Sequence, residues 1–109
     1  LAVTRTEMET TKLRLDLEAR RIEREVVSAH AAYETRLNEL ALIGTHAVPA
    51  AERNLELIET GWRSGRFDVF RVTAAARDLI QAKGRRLDAL ESAWFERIAL
   101  EQAAGGWPR

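Results

Sequence analysis

From Leu15 to Trp62 apolar or small side chains recur at steps of three or four: Leu15, Ala19, Ile22, Val26, Ala29, Tyr33, Leu37, Leu40, Gly44, Ala47, Ala51, Leu55, Ile58 and Trp62. Thirteen steps cover 47 residues. The mean step of about 3.6 is the period of a straight α-helix rather than the 3.5 of a long heptad seam. Arg20, Arg21, Glu23, Arg24, Glu34 and Arg36 alternate in sign on the remaining surface, as on a solvated helix face. No stretch alternates with a period of two, and there is no low-complexity tract or internal repeat. The chain therefore reads as all-α.

Gly44 and Pro49 fall inside this first run. Glycine raises the entropic cost of a helix, and proline lacks an N–H and crowds the preceding turn. A true break would give three helices in a compact bundle, and a kink would leave one long bent helix. Because the stripe passes Gly44, Ala47 and Ala51 without losing phase, the kink is the expectation. The run ends at Gly61-Trp62-Arg63-Ser64-Gly65-Arg66-Phe67-Asp68-Val69, which has the composition of a tight reversal. Gly61 and Gly65 permit left-handed backbone, and Ser64 and Asp68 can bond freed N–H groups. A second helix is expected from about Asp68, whose carboxylate suits an N-cap. Its stripe reads Val69, Val72, Ala76, Leu79, Lys83/Gly84, Leu87, Leu90, Trp94 and Ile98. Gly105-Gly106 and Pro108 should stop it at Ala104. Trp94 is expected in the core and Trp107 in packing at the helix end.

Charge and composition remove several classes of function. Seventeen basic and seventeen acidic residues leave no excess suited to nucleic acid or an anionic membrane. The longest uncharged stretch, Leu40 to Ala51, is too short to span a bilayer. With no cysteine there is no disulfide, thiolate metal site or thiol catalysis. The first nine residues carry no secretory-signal pattern, and a start at Leu1 fits a processed or excised piece. His30 and His46 lack a second ligand one turn away, so no metal site is expected. Glu7, Glu9, Glu23 and Glu25 have no pocket or orienting partner in the sequence, and no serine sits in a nucleophile elbow. Arg20-Arg21 and Arg85-Arg86 read as solvated faces rather than phosphate grips. No catalysis and no cofactor are expected.

Taken as helices, residues 14–62 and 68–104 would span about 73 Å and about 55 Å. Two helices shield only one stripe each, yet Leu13, Leu17, Val27, Leu42, Leu57, Phe70, Ile80 and Phe95 lie off the main stripes. Eighteen alanines would also let helices approach on more than one side. Further helices are expected beside this pair, from other copies or from other sequence.

In order and spacing, several elements between Ile22 and Gly106 resemble a periplasmic α-hairpin of the outer-membrane factor family, which includes TolC and the heavy-metal efflux channels of CzcC type. They are Glu25-Val26 with Ala29 and Tyr33, then Val48-Pro49-Ala50-Ala51-Glu52, then Asn54-Leu55-Glu56-Leu57 before the tip. Gly61-Trp62-x-x-Gly65 is similar to the family's Gly-Tyr-x-x-Gly. Asp68, Val69, Ala75, Arg77, Leu79, Ala82, Leu87-Asp88-Ala89-Leu90, Trp94, Leu100-Glu101 and Gly105 follow its second helix. Ala74, Ala76 and Arg86 depart from it, standing where many members have Asp, Gln and Tyr.

The resemblance implies one antiparallel hairpin with a descending helix over about 6–62, a tip at 62–67 and an ascending helix over about 68–104. Such hairpins line a trimeric tunnel across the periplasm below an outer-membrane β-barrel, which this sequence does not contain. Their tips dock on a periplasmic adaptor (membrane fusion) protein in a pump that exports metal ions or drugs. On that reading Gly61, Trp62, Arg63, Ser64, Gly65, Arg66, Phe67, Asp68 and Val69 form the docking surface, and Trp62 and Arg66 help close the pore mouth. The exposed stripes of an excised hairpin could pair two copies, and its oligomeric state is left open by the sequence. Two alternatives stand beside it: an ordinary helix–helix turn whose Trp and Phe cap a core, and a cytoplasmic scaffold that binds partner helices along its exposed stripes.

Overall fold

The computed structural model describes residues 2–105. It is helical throughout, with no strand among the described residues. Helix α1 covers Ala2–Leu42, a π-helical segment Ile43–Ala47, α2 Val48–Arg63 and α3 Val69–Ala103. Two compact units divide the chain. One holds the residues up to Tyr33 with those from Glu96 onward, and the other is Glu34–Phe95.

The first helical run passes through Gly44 and Pro49 without a break. Leu42, Ala47 and Val48 all keep helical dihedrals, with φ between −62° and −66°. Val48 donates its N–H to the Ile43 carbonyl, five residues back, which is the π-helical bond. Pro49 follows in the first turn of α2, where a missing N–H is tolerated best. The kink expected at Gly44 and Pro49 is thus a local widening of the helix.

In the Glu34–Phe95 unit α2 packs antiparallel against α3, and the face α3 presents is made of alanine. Ala75, Ala82, Ala89 and Ala93 are its buried members, with Val72, Ala76 and Leu79 half-buried beside them. Ala75, Ala82 and Ala89 are spaced seven apart, as are Val72 and Leu79, which is the 3.5-residue period of a heptad seam. Small side chains there let the helix axes come close. This corrects the stripe expected from the sequence. Leu87, Leu90 and Trp94 point away from the core, Trp94 being 61% exposed, and Val69 is exposed too.

The first run obeys the same seven-residue rule with one interruption. Val26, Tyr33 and Leu40 are half-buried at steps of seven, as are Ala29, Arg36 and Ile43. Across the π-helical segment the step becomes eight, from Leu40 to Val48 and from Ile43 to Ala51. It then returns to seven, from Val48 to Leu55 and from Ala51 to Ile58. Val48, at 2% exposure, is the largest fully buried side chain, and Ala47, expected on the stripe, is exposed. The mean period of about 3.6 therefore combines a 3.5 seam with one inserted residue, which the wider π-helical turn absorbs.

The other unit is thinner. Val26, Ala29, Ala32 and Tyr33 on α1 and Glu96, Ile98, Leu100, Glu101 and Ala103 on α3 are half-buried. Residues 4–25 are all exposed, including Leu15, Ala19 and Ile22 of the expected stripe. Local ion pairs run along the outer surface: Arg20 with Asp16 at 3.6 Å, and Arg21 with Glu18 and, at 3.4 Å, Glu25. The hydrogen bond from Arg21 holds the Glu18 carboxyl below its ordinary range. Arg97 is held in its charged form by Glu101, 3.2 Å away, and by Tyr33. Exposed pairs of this kind contribute little stability each. Helix α3 ends at Ala103, with Gly105 in left-handed backbone at φ +73°. Gly106, Trp107 and Pro108, assigned to the stop signal and helix-end packing, lie outside the described residues.

Candidate functional site

The reversal between α2 and α3 is built from main-chain bonds that close the end of α2. The Arg66 N–H donates to the Gly61 carbonyl at 2.7 Å, and the Gly65 N–H donates to the Trp62 carbonyl at 3.0 Å. This pair of bonds, six-to-one and five-to-two, is the Schellman closure of a helix C-terminus. It requires left-handed backbone at the residue after the cap, and Gly65 supplies it at φ +82°. The same closure leaves Ser64 as the cap, with its N–H on the Thr60 carbonyl at 3.1 Å.

Gly61 serves a different purpose from the one its type suggests. Its backbone is helical, and it is buried because the Phe67 ring lies directly against it. A Cβ at position 61 would overlap that ring. Ser64 also departs from expectation: its hydroxyl donates to the Gly61 carbonyl at 3.0 Å and accepts from Arg66 Nε at 3.3 Å. Asp68 behaves as expected, its carboxylate accepting the Arg71 N–H at 3.1 Å as the N-cap of α3. Arg71 lies over the Phe67 ring at 4.5 Å, a cation–π contact that ties the loop to the first turn of α3.

These contacts sort the nine candidate residues into a frame and a surface. Gly61, Ser64, Gly65, Phe67 and Asp68 make the turn, with Phe67 half-buried rather than offered outward. Trp62, Arg63, Arg66 and Val69 are exposed, Trp62 by 47%. Phe70, at 78% exposure, joins that outer set, in keeping with its position off the α3 stripe. Arg71 was missed, and its signal was the four-residue spacing from Phe67. The apex is apolar and basic, with Arg63, Arg66 and Arg71 set against Asp68, which caps α3, and Glu59, which lies 3.9 Å from Arg63.

None of the protein-family models, curated proteins or solved structures compared with this chain matches it. What the tip can do must be argued from its own chemistry. Among the described residues no three His, Asp or Glu side chains gather where they could hold a metal ion, and His30 and His46 lie on α1 and in the π-helical segment. No helix among them is long and apolar enough to cross a membrane.

Two substitutions test the frame. Asp68→Ala removes the cap and is expected to cost about 1 kcal/mol, read by urea unfolding. Gly65→Val forces a β-branched residue into left-handed backbone and is expected to cost at least as much, about 1–3 kcal/mol. Equal stability of the Gly65→Val variant would contradict the turn geometry.

Proposed function

We propose that this chain is a periplasmic α-hairpin of an outer-membrane efflux channel of the TolC type, a transport component without catalysis, exporting metal ions or drugs. Its hairpins pack side by side in a trimer, and the tip residues 61–69 dock on a periplasmic adaptor protein. Trp62 and Arg66 contribute to closing the pore mouth.

One observation carries this reading. Helix α3 has a second seven-residue apolar seam, Ile80, Leu87 and Trp94 with Leu90 beside them, on a face that α2 does not cover. Ile80 is 69% exposed and Leu87 65%. A helix that packs alanine inward and its larger apolar residues outward is suited to lie between two neighbours, as in a wall of helices. The exposed Leu13, Leu15 and Leu17 on α1 call for neighbours in the same way. The tip adds a rigid apolar and basic apex, of the residue types that anchor protein interfaces. The order and spacing of the family-like motifs support the channel over a generic scaffold.

Adaptor binding by the channel protein that carries this hairpin provides the test. Trp62→Ala is expected to weaken adaptor binding by about thirty-fold, the loss typical of one interface anchor. Helix content measured by circular dichroism should be unchanged, because main-chain bonds close the turn. Undiminished binding would remove the tip from the interface.

A further inference from the structure

Within the Glu34–Phe95 unit, four features meet at one level of the hairpin, and each weakens it. Residues 43–47 are π-helical, with Val48 bonded to Ile43 instead of Gly44. Pro49 has no N–H, so the carbonyl it would serve in either helical register loses its ladder partner. The Thr45 hydroxyl donates to the Ala41 carbonyl at 2.6 Å, a side-chain competitor of the kind that bends helices. Across from this turn the packing is thin. The space beside Gly44 meets only Arg86 Cδ at 3.9 Å, and beside Gly84 on α3 nothing lies within 4 Å.

We propose that this level is a hinge, at which the tip-bearing part of the unit bends relative to its other end. A helix bends where its hydrogen-bond ladder is already interrupted, and sharp kinks coincide with proline, glycine and π-bulges. Here the interruption in one helix is matched by Gly84 and the open space beside it in the other, so bending breaks few contacts on either side. Close packing resumes on its tip side, at Val48 on one helix and at Ala82 and Ala75 on the other. The single inserted residue keeps the seam in phase on both sides while concentrating deformation at one turn. The hinge does not depend on what the tip binds, and it would let any docking apex adjust its approach.

Amide hydrogen exchange on the unmodified protein tests it. Amides of residues 44–47 and 84–88 are expected to exchange about ten-fold or more faster than those of 54–60 and 75–80, because local opening is cheapest where the ladder and packing are weakest. Gly44→Ala and Gly84→Ala both fit the available space and should each slow exchange at the hinge by about five-fold, with little change at the tip. Protection at the hinge equal to that of the flanking turns would overturn the proposal. So would alanine variants that slow exchange uniformly along the hairpin, since that would reflect global stability alone.

Discussion

Replacing Ala82 with leucine is expected to destabilise the Glu34–Phe95 unit by about 1–3 kcal/mol, although it adds apolar surface to an already apolar face. Ala82 is 2% exposed and sits midway between Ala75 and Ala89 on the face of α3 that meets the opposite helix. The extra atoms have no empty volume to enter, so the helices must separate and the neighbouring alanines lose contact. Leu87→Ala provides the contrast. That side chain is largely outside the packed face, and its loss should change unfolding in urea by no more than about 0.5 kcal/mol in the monomer. If copies associate through the outer seam, the cost of Leu87→Ala becomes concentration-dependent, because association stabilises by mass action. A Leu87→Ala variant that lost more stability than Ala82→Leu at high dilution would mean that the larger residues, and not the alanines, form the core.

The contrast between those positions also explains what the sequence could convey. Helix type, the reversal at 61–69 and the cap at Asp68 were legible because they rest on local chemistry: glycine in left-handed backbone, a carboxylate before a helix, and apolar spacing of three and four. The inward face of α3 was not. A periodicity reading weights large apolar residues, so it follows Leu87, Leu90 and Trp94, whereas the chain buries Ala82, Ala89 and Ala93. Two seams share one helix, and size alone selects the wrong one. The π-helical insertion was hidden for a related reason. One extra residue in a 3.5-residue seam gives the same average over the first run as an unbroken straight helix, and only the burial of Val48 in place of Ala47 separates the two. At the tip, glycine at 61 was visible but its purpose was not, since close approach by Phe67 depends on how the loop folds back.

That close approach gives the sharpest expectation for the turn. Gly61→Ala should destabilise the hairpin by about 1–3 kcal/mol, despite replacing a poor helix former with the best one. The new Cβ would overlap the Phe67 ring edge and lie 3.3 Å from its Cγ, so the ring must leave its place. Displacing it uncovers half-buried aromatic surface and breaks the contact with Arg71. It also disturbs the Arg66 and Phe67 N–H groups, both of which donate to the Gly61 carbonyl. A double-mutant cycle isolates the cause. Phe67→Ala alone costs the ring's packing, but in that background Gly61→Ala no longer meets an obstacle and should become neutral or stabilising by up to about 1 kcal/mol. The sign change is the diagnostic. If Gly61→Ala costs as much without the ring as with it, the requirement for glycine lies in the backbone of α2, and Phe67 is a bystander to the reversal.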